Sequence, residues 1–198
     1  MEDDLITSPN FLDFMNQALN FYQGNKQIHS ISGYTLDLPS LKNYTKDYYL
    51  GYRASSWGWG TWKEKWESVD WNVSKYREFK RNPLQQIKFM KGGSDLPHML
   101  SNQIRGKIDS WAIRWCFDQF IKKQVTVFPT KSKVISIGFN KNATHTKNTK
   151  RFLTSLDKGE KRTFHFDETL FINKDIIKDF RSKFSIWSRF KDKYLLSL

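Results

Sequence analysis

Three groups of residues in this 198-residue chain have types and spacings that could do chemistry. The first is the acidic triplet Glu2-Asp3-Asp4, just ahead of Leu5-Ile6. At the end of a buried strand three adjacent carboxylates repel one another unless they are exposed or share a cation. A hard divalent ion with oxygen ligands, Mn²⁺ or Mg²⁺, would relieve that repulsion and could hold phosphates; the plainer alternative is a frayed acidic terminus. The second is Asp109, shortly before Trp111, Arg114 and Trp115. It reads either as a helix N-cap or as a general base against an aromatic wall that would raise its pKa. The third is the segment 53–66, which carries Trp57, Trp59, Trp62 and Trp66, half of the protein's eight tryptophans, among small residues such as Ser55, Ser56, Gly58 and Gly60. Indole faces stack on the C–H faces of sugar rings while serine and backbone groups bond the hydroxyls, so a carbohydrate platform is one reading. A helix anchored by large aromatics under a loop is the other. His145 and the cations of 141–151 sit in a polar loop where they could meet phosphate charge or simply be solvated.

Positioning these groups requires ordered elements. Ser8-Pro9 predicts a helix start with Ser8 as N-cap and Pro9 at the first position. Phe11, Leu12, Met15, Ala18, Leu19 and Tyr22 then recur at three-and-four spacing up to Gly24. Residues 28–34 read as a strand closing in a glycine turn, and 35–52 as an aromatic, polar loop without a period. The spacing of Trp59, Trp62 and Trp66 predicts one face of a helix. Further helices are expected over 71–82, ended by Pro83, over 94–105, and from 108 onward with Ile113, Phe117, Phe120 and Ile121 on one side. Strands are expected at 125–128 and 134–137. In the tail, Ile176, Phe180, Phe184, Trp187, Phe190 and Tyr194 recur every three or four residues among Lys and Arg. That is a basic amphipathic helix, or two, which packs on its own domain or lies on a membrane surface.

The totals bound the answer. A chain of this length, 38% hydrophobic and 16% aromatic, can bury one core and is not of disordered composition. No apolar run is long enough to span a bilayer, and the acidic start lacks the basic region of a secretory signal. Cys116 stands alone, which excludes an internal disulfide and suggests the reducing cytoplasm. The net charge of +13 is uneven: residues 1–120 hold 15 Lys/Arg against 13 Asp/Glu, and residues 121–198 hold 18 against 7. An anionic partner for the C-terminal part follows.

The order of the pieces says more than any one of them. Glu2-Asp-Asp-Leu with Ser8-Pro-x-Phe11, Ile28-x-Ser-Ile-Ser-Gly-Tyr34, Ser55-Ser-Trp-Gly-Trp-x-Thr-Trp62, Gly106-Lys-Ile-Asp-Ser-Trp111 and Ile137-Gly-Phe139 with Thr144-His-Thr146 together resemble a bacterial family of GT-A-fold glycosyltransferases, family-2-like sugar transferases. The chain is distantly similar to the eukaryotic N-acetylglucosaminyltransferases of N-glycan branching. The resemblance covers residues 1–150. It implies an α/β fold, the C-terminal part of a GT-A domain, with a mixed sheet, flanking helices and an incomplete nucleotide-binding half. Residues 1–150 would form the metal- and acceptor-binding catalytic part, and 151–198 a basic helical tail. By the same resemblance Glu2, Asp3 and Asp4 are the metal motif, with Asp4 the direct ligand of Mn²⁺ or Mg²⁺ and Asp3 also on the donor side. Trp57, Gly58, Trp59 and Trp111 would border the acceptor, Asp109 would deprotonate its hydroxyl, and His145 would close over the donor.

The implied reaction is inverting transfer of a sugar from a nucleotide-sugar to a glycan or lipid-linked saccharide, in surface-polysaccharide or lipid-linked glycan synthesis. In the family the acidic motif lies mid-chain, so its place at residues 2–4 implies a missing upstream half and an isolated chain of little or no activity. Two alternatives belong to other classes: a basic nucleic-acid-binding module, and a non-catalytic carbohydrate-binding fragment. Because the Trp-rich stretch is nearly balanced in charge, no nucleic-acid partner is expected. Peripheral membrane contact through the tail, at the inner face, completes the set of expected partners.

Overall fold

The computed structural model describes residues 4–137 and 151–194, except for the side chains of 192–194. It is an α/β structure with a mixed four-stranded sheet and flanking helices, the strands lying in the order β3 (Tyr48–Gly51), β5 (Val125–Pro129), β2 (Ile28–Ser32), β4 (Trp59–Gly60). The central strands β2 and β5 are parallel, Ile28 facing Val125 and Ile31 facing Val127, and each outer strand is antiparallel to its neighbour. Separately, β1 (Leu5–Thr7) pairs antiparallel with β6 (Val134–Ser136).

Side chains alternate across a strand, and that alternation sorts the core into layers. Tyr48, Leu50, Val125 and Val127 point to α1 (Phe11–Phe21), packing with Phe14, Met15, Ala18, Tyr22 and the later Phe164. Tyr49 and Phe128 point to the other face, where α7 (Lys174–Lys183) brings Ile176 and Phe180. Also on that face, Thr126 donates to Gln119 of α6 (Trp111–Ile121) at 2.8 Å. The short helices α3 (Tyr76–Lys80), α4 (Pro83–Phe89) and α5 (Leu96–Ile104) close a third apolar cluster, Phe79, Phe89, Leu96 and Leu100 meeting Ile113, Cys116 and Phe117 of α6. Residues beyond 150 therefore share the core with the first 137. No helix among the described residues is long and apolar enough to cross a membrane.

Several local expectations need correction. Ser8 does not cap α1: its amide still bonds the Lys133 carbonyl at 2.8 Å, continuing the β1–β6 pairing, so the helix starts two residues later with Asn10 in the cap position. Asn10, itself buried, turns its amide away from the helix to Asp157 and the Lys161 carbonyl, and the buried Lys133 ammonium pairs with the same Asp157 carboxylate. The 35–52 stretch holds β3, whose aromatic and β-forming residues were hidden by the absence of alternation, because all four are buried. Within 71–82 only Tyr76–Lys80 is helical, since the Asp70 carboxylate takes the Ser74 amide and hydroxyl and ties the preceding residues into a turn. Pro83 begins α4 instead of ending a helix, with Asn82 as its cap.

The tryptophan stretch departs most from its helical reading. Trp59 and Gly60 are strand, paired with Ser32 and Ile31, and α2 (Lys63–Glu67) begins only after Trp62. Trp62 turns toward α1 and donates its indole N–H to the Leu19 carbonyl at 3.2 Å. The three indoles thus do not share a face.

Candidate functional site

In open α/β sheets ligands bind outside the carboxyl ends of the parallel strands. Here that end is crossed by the tryptophan loop. Gly33, leaving β2, donates its amide to the Gly58 carbonyl at 2.8 Å. A Cβ at Gly33 would lie 2.6 Å from that oxygen, and one at Gly58 would lie 2.6 Å from a Val134 methyl. Gly58 also holds a positive φ of 53°. Glycine at both positions lets the loop sit directly on the strand ends, so Gly58 acts through backbone approach.

Trp57 and Trp59, either side of it, go to different places. Trp57 packs edge-on against Tyr34, ring centroids 4.6 Å apart, and lines a cavity of about 210 Å³ with Arg53, Ser55, Ser56, Ile113 and Cys116. Arg53 is fixed there by two bonds to the Asp95 carboxylate, at 2.9 and 3.1 Å, with its guanidinium 4.0 Å from the Phe184 ring.

Trp59 enters a cluster of five indoles. It stacks on Trp111 at 5.2 Å and meets Trp115 edge-on at 5.1 Å. Trp66 touches Trp71 at 4.6 Å and Trp115 at 5.6 Å. Burial is graded across the group. Trp115 is 1% exposed and forms the floor, whereas Trp111 at 37% and Trp66 at 43% open to solvent. The Trp115 indole nitrogen is buried with no hydrogen-bond partner among the described residues. An aromatic surface with a buried floor and open rim is what ring stacking on an apolar ligand face requires.

Beneath Trp115 lies a buried polar chain. The His29 ring is 4.1 Å from that indole and wholly enclosed. Gln124 spends its amide N–H on the Lys26 carbonyl, so its oxygen faces His29 Nδ1 at 2.6 Å and the imidazole carries its proton there. His29 Nε2 lies 3.7 Å from Asp118, which pairs with Lys122 at 2.8 Å. Burial pushes the His29 pKa down to about 4, against the opposing pull of Gln124 and Asp118. The imidazole is therefore neutral in the fold but takes a proton in the unfolded chain below its ordinary value of 6.5. Stability is present above pH 6.5 and is lost as pH falls toward 4. The unfolding free energy should drop by about 2 kcal/mol between pH 7 and pH 5 from this residue. Urea titrations at the two pH values check this: His29→Gln should flatten the dependence, and an equal slope in the variant would remove His29 as its source.

The expected site residues are distributed as follows. Asp109 sits two residues before Trp111, with its side chain 97% exposed and 3.7 Å from Arg114. It neither caps α6 nor faces an aromatic wall; Ser110 is the cap, accepting the Ile113 amide at 3.4 Å. Asp109, Trp111 and Trp59 are thus brought to one region, and Trp57 lies on the other side of the loop. Asp4 adjoins the β1–β6 pair, where the Ser136 hydroxyl donates to it at 2.9 Å. Glu2, Asp3 and His145 lie outside the described residues. Among the described residues no group of three acidic, His or Cys residues that could hold a metal ion gathers around Asp4 or elsewhere. Trp71 and His29 do not enter the sequence reading of the site, and Trp66 and Trp115 enter it only as members of the segment 53–66 and of the wall beside Asp109; the four-residue step from Trp111 to Trp115 and the seven-residue step from Trp59 to Trp66 are the signals that link them. No family model, no curated protein and no solved structure matches this chain.

Proposed function

We propose that this chain is the acceptor-binding and catalytic part of an inverting sugar transferase, the C-terminal part of a GT-A fold with an incomplete nucleotide-binding half. The observation that carries the reading is the half-open indole cluster of Trp59, Trp66 and Trp111 on its Trp115 floor, with Asp109 at its margin. A glycan would lay its C–H faces on Trp111 and Trp66. Asp109, an exposed carboxylate 3.7 Å from the Arg114 guanidinium, would accept the proton of a hydroxyl held there. Bound Mn²⁺ or Mg²⁺ would supply positive charge for a departing diphosphate, and Asp4 is the described carboxylate that would hold it. The acceptor class is a glycan or lipid-linked saccharide and the donor a nucleotide-sugar.

Calorimetric titration with a panel of neutral oligosaccharides tests the platform. Trp111→Ala should weaken the best ligand by about 2 kcal/mol, roughly thirtyfold. Equal affinity in the variant, or no glycan bound by the native chain, removes the proposal. A non-catalytic carbohydrate-binding protein is the second reading, favoured by the open setting of Asp109, whose side chain is 97% exposed.

A further inference from the structure

One amphipathic pattern runs through the C-terminal region, and its two halves have opposite fates. Ile176 and Phe180 of α7, with Phe184 just beyond it, are 1%, 4% and 6% exposed, packed against Phe128, Tyr49 and Leu38. In α8 (Ile186–Tyr194) the same kind of residue faces outward: Ile186 is 69% exposed, Trp187 77% and Phe190 50%. At 3.6 residues per turn these three fall within an arc of about 100°. Trp187 and Phe190 meet edge-on at 6.5 Å, so the face is continuous. From residue 181 onward the sequence supplies Arg181, Lys183, Arg189, Lys191 and Lys193 against one acidic residue, Asp192.

We propose that α8 docks on an anionic lipid bilayer, lying in the interface plane with Ile186 and Trp187 inserted among the acyl chains. Charge selects this occupant. An apolar stripe bordered by cations matches a surface that is oily below and negative above, and residues 121–198 carry 18 Lys/Arg against 7 Asp/Glu. Area argues the same way. The three side chains offer on the order of 400 Å², about half of the roughly 800 Å² that one partner contributes to a stable protein interface. A bilayer needs no such minimum, since each inserted group contributes independently. With nine residues α8 is about 13 Å long, enough to lie on a membrane and too short to cross it. Tryptophan suits the headgroup boundary, where one part of the ring is apolar and the N–H is wet.

The test is flotation of the full chain with two kinds of vesicle, phosphatidylcholine alone and phosphatidylcholine with about a third phosphatidylglycerol. Binding should be confined to the anionic vesicles and should weaken at about 0.5 M salt. Ile186→Ser with Trp187→Ser should lower the partition coefficient about tenfold or more while keeping every charge. Lys183→Glu with Lys191→Glu should lower it comparably. If the serine variant binds as well as the native chain, general basicity suffices and the proposal is overturned. A variant with a lower thermal midpoint also overturns it, because the face would then be packed within the fold. So does sedimentation equilibrium showing a dimer that the serine variant abolishes, which would assign the face to a second copy.

Discussion

Trp115→Ala should destabilise the fold by about 3–5 kcal/mol, the range for emptying a large buried aromatic site. Trp115 is 1% exposed, supports Trp59, Trp66 and Trp71, and covers His29. Its neighbours come from three different elements, so they cannot collapse together into the space left behind. The loss would admit water to the enclosed His29 ring, whose burial keeps the imidazole neutral. Chemical denaturation gives the cost directly. A second measurement separates support from mere mass: Trp115→Phe should recover much of the stability and, on the proposed platform, part of the glycan affinity. A cost below about 1 kcal/mol would mean that the five indoles are not one packed unit.

The second large effect concerns chemistry. If Asp109 takes the acceptor proton, Asp109→Asn should reduce sugar transfer by about a hundredfold to ten-thousandfold, the usual range for losing a positioned base. Glycan affinity should change little, because an amide fills the same space and the side chain is 97% exposed, so the fold does not lean on it. Transfer is measured with a panel of nucleotide-sugars in the presence of Mn²⁺, and binding by the titrations above. Retained transfer removes Asp109 from its role. Glycan binding without transfer, when a nucleotide-binding half is supplied to the native chain, leaves the carbohydrate-binding reading in its place.

Much of the scaffold was legible because periodicity reports burial. The α1 pattern from Phe11 to Tyr22 came through because that helix has one face in water and one in the core, the helix holding Ile113 and Phe117 through its three-and-four spacing, and the strand before Gly33, though buried throughout, through the glycine turn that ends it. β3 did not, because a strand buried on both faces loses alternation, and Tyr48, Tyr49, Leu50 and Gly51 then resemble an aromatic loop. The tryptophan stretch misled for a related reason. Spacings of three and four suit a helix, but Gly58 turns the chain at a positive φ and Trp59–Gly60 then pair with β2, so tertiary pairing overrode the period. For the site, residue chemistry pointed to Trp59, Trp111 and Asp109, which the fold places in one region. It could not show that Trp115 would become a floor, since a buried and an exposed indole on one helix differ only in what packs above them. In the tail, identical spacing in α7 and α8 concealed a buried face and an open one.

The outer strands of the four-stranded sheet bear on how this chain behaves when crowded. β4 is two residues long and flanked by bulky indoles, so it presents almost no row of free amides and carbonyls to another chain. On the opposite border every residue of β3 is buried. Neither border can template the strand addition that seeds fibrils and swapped oligomers. The borders of the four-stranded sheet thus offer little to a second copy of a chain rich in aromatic surface.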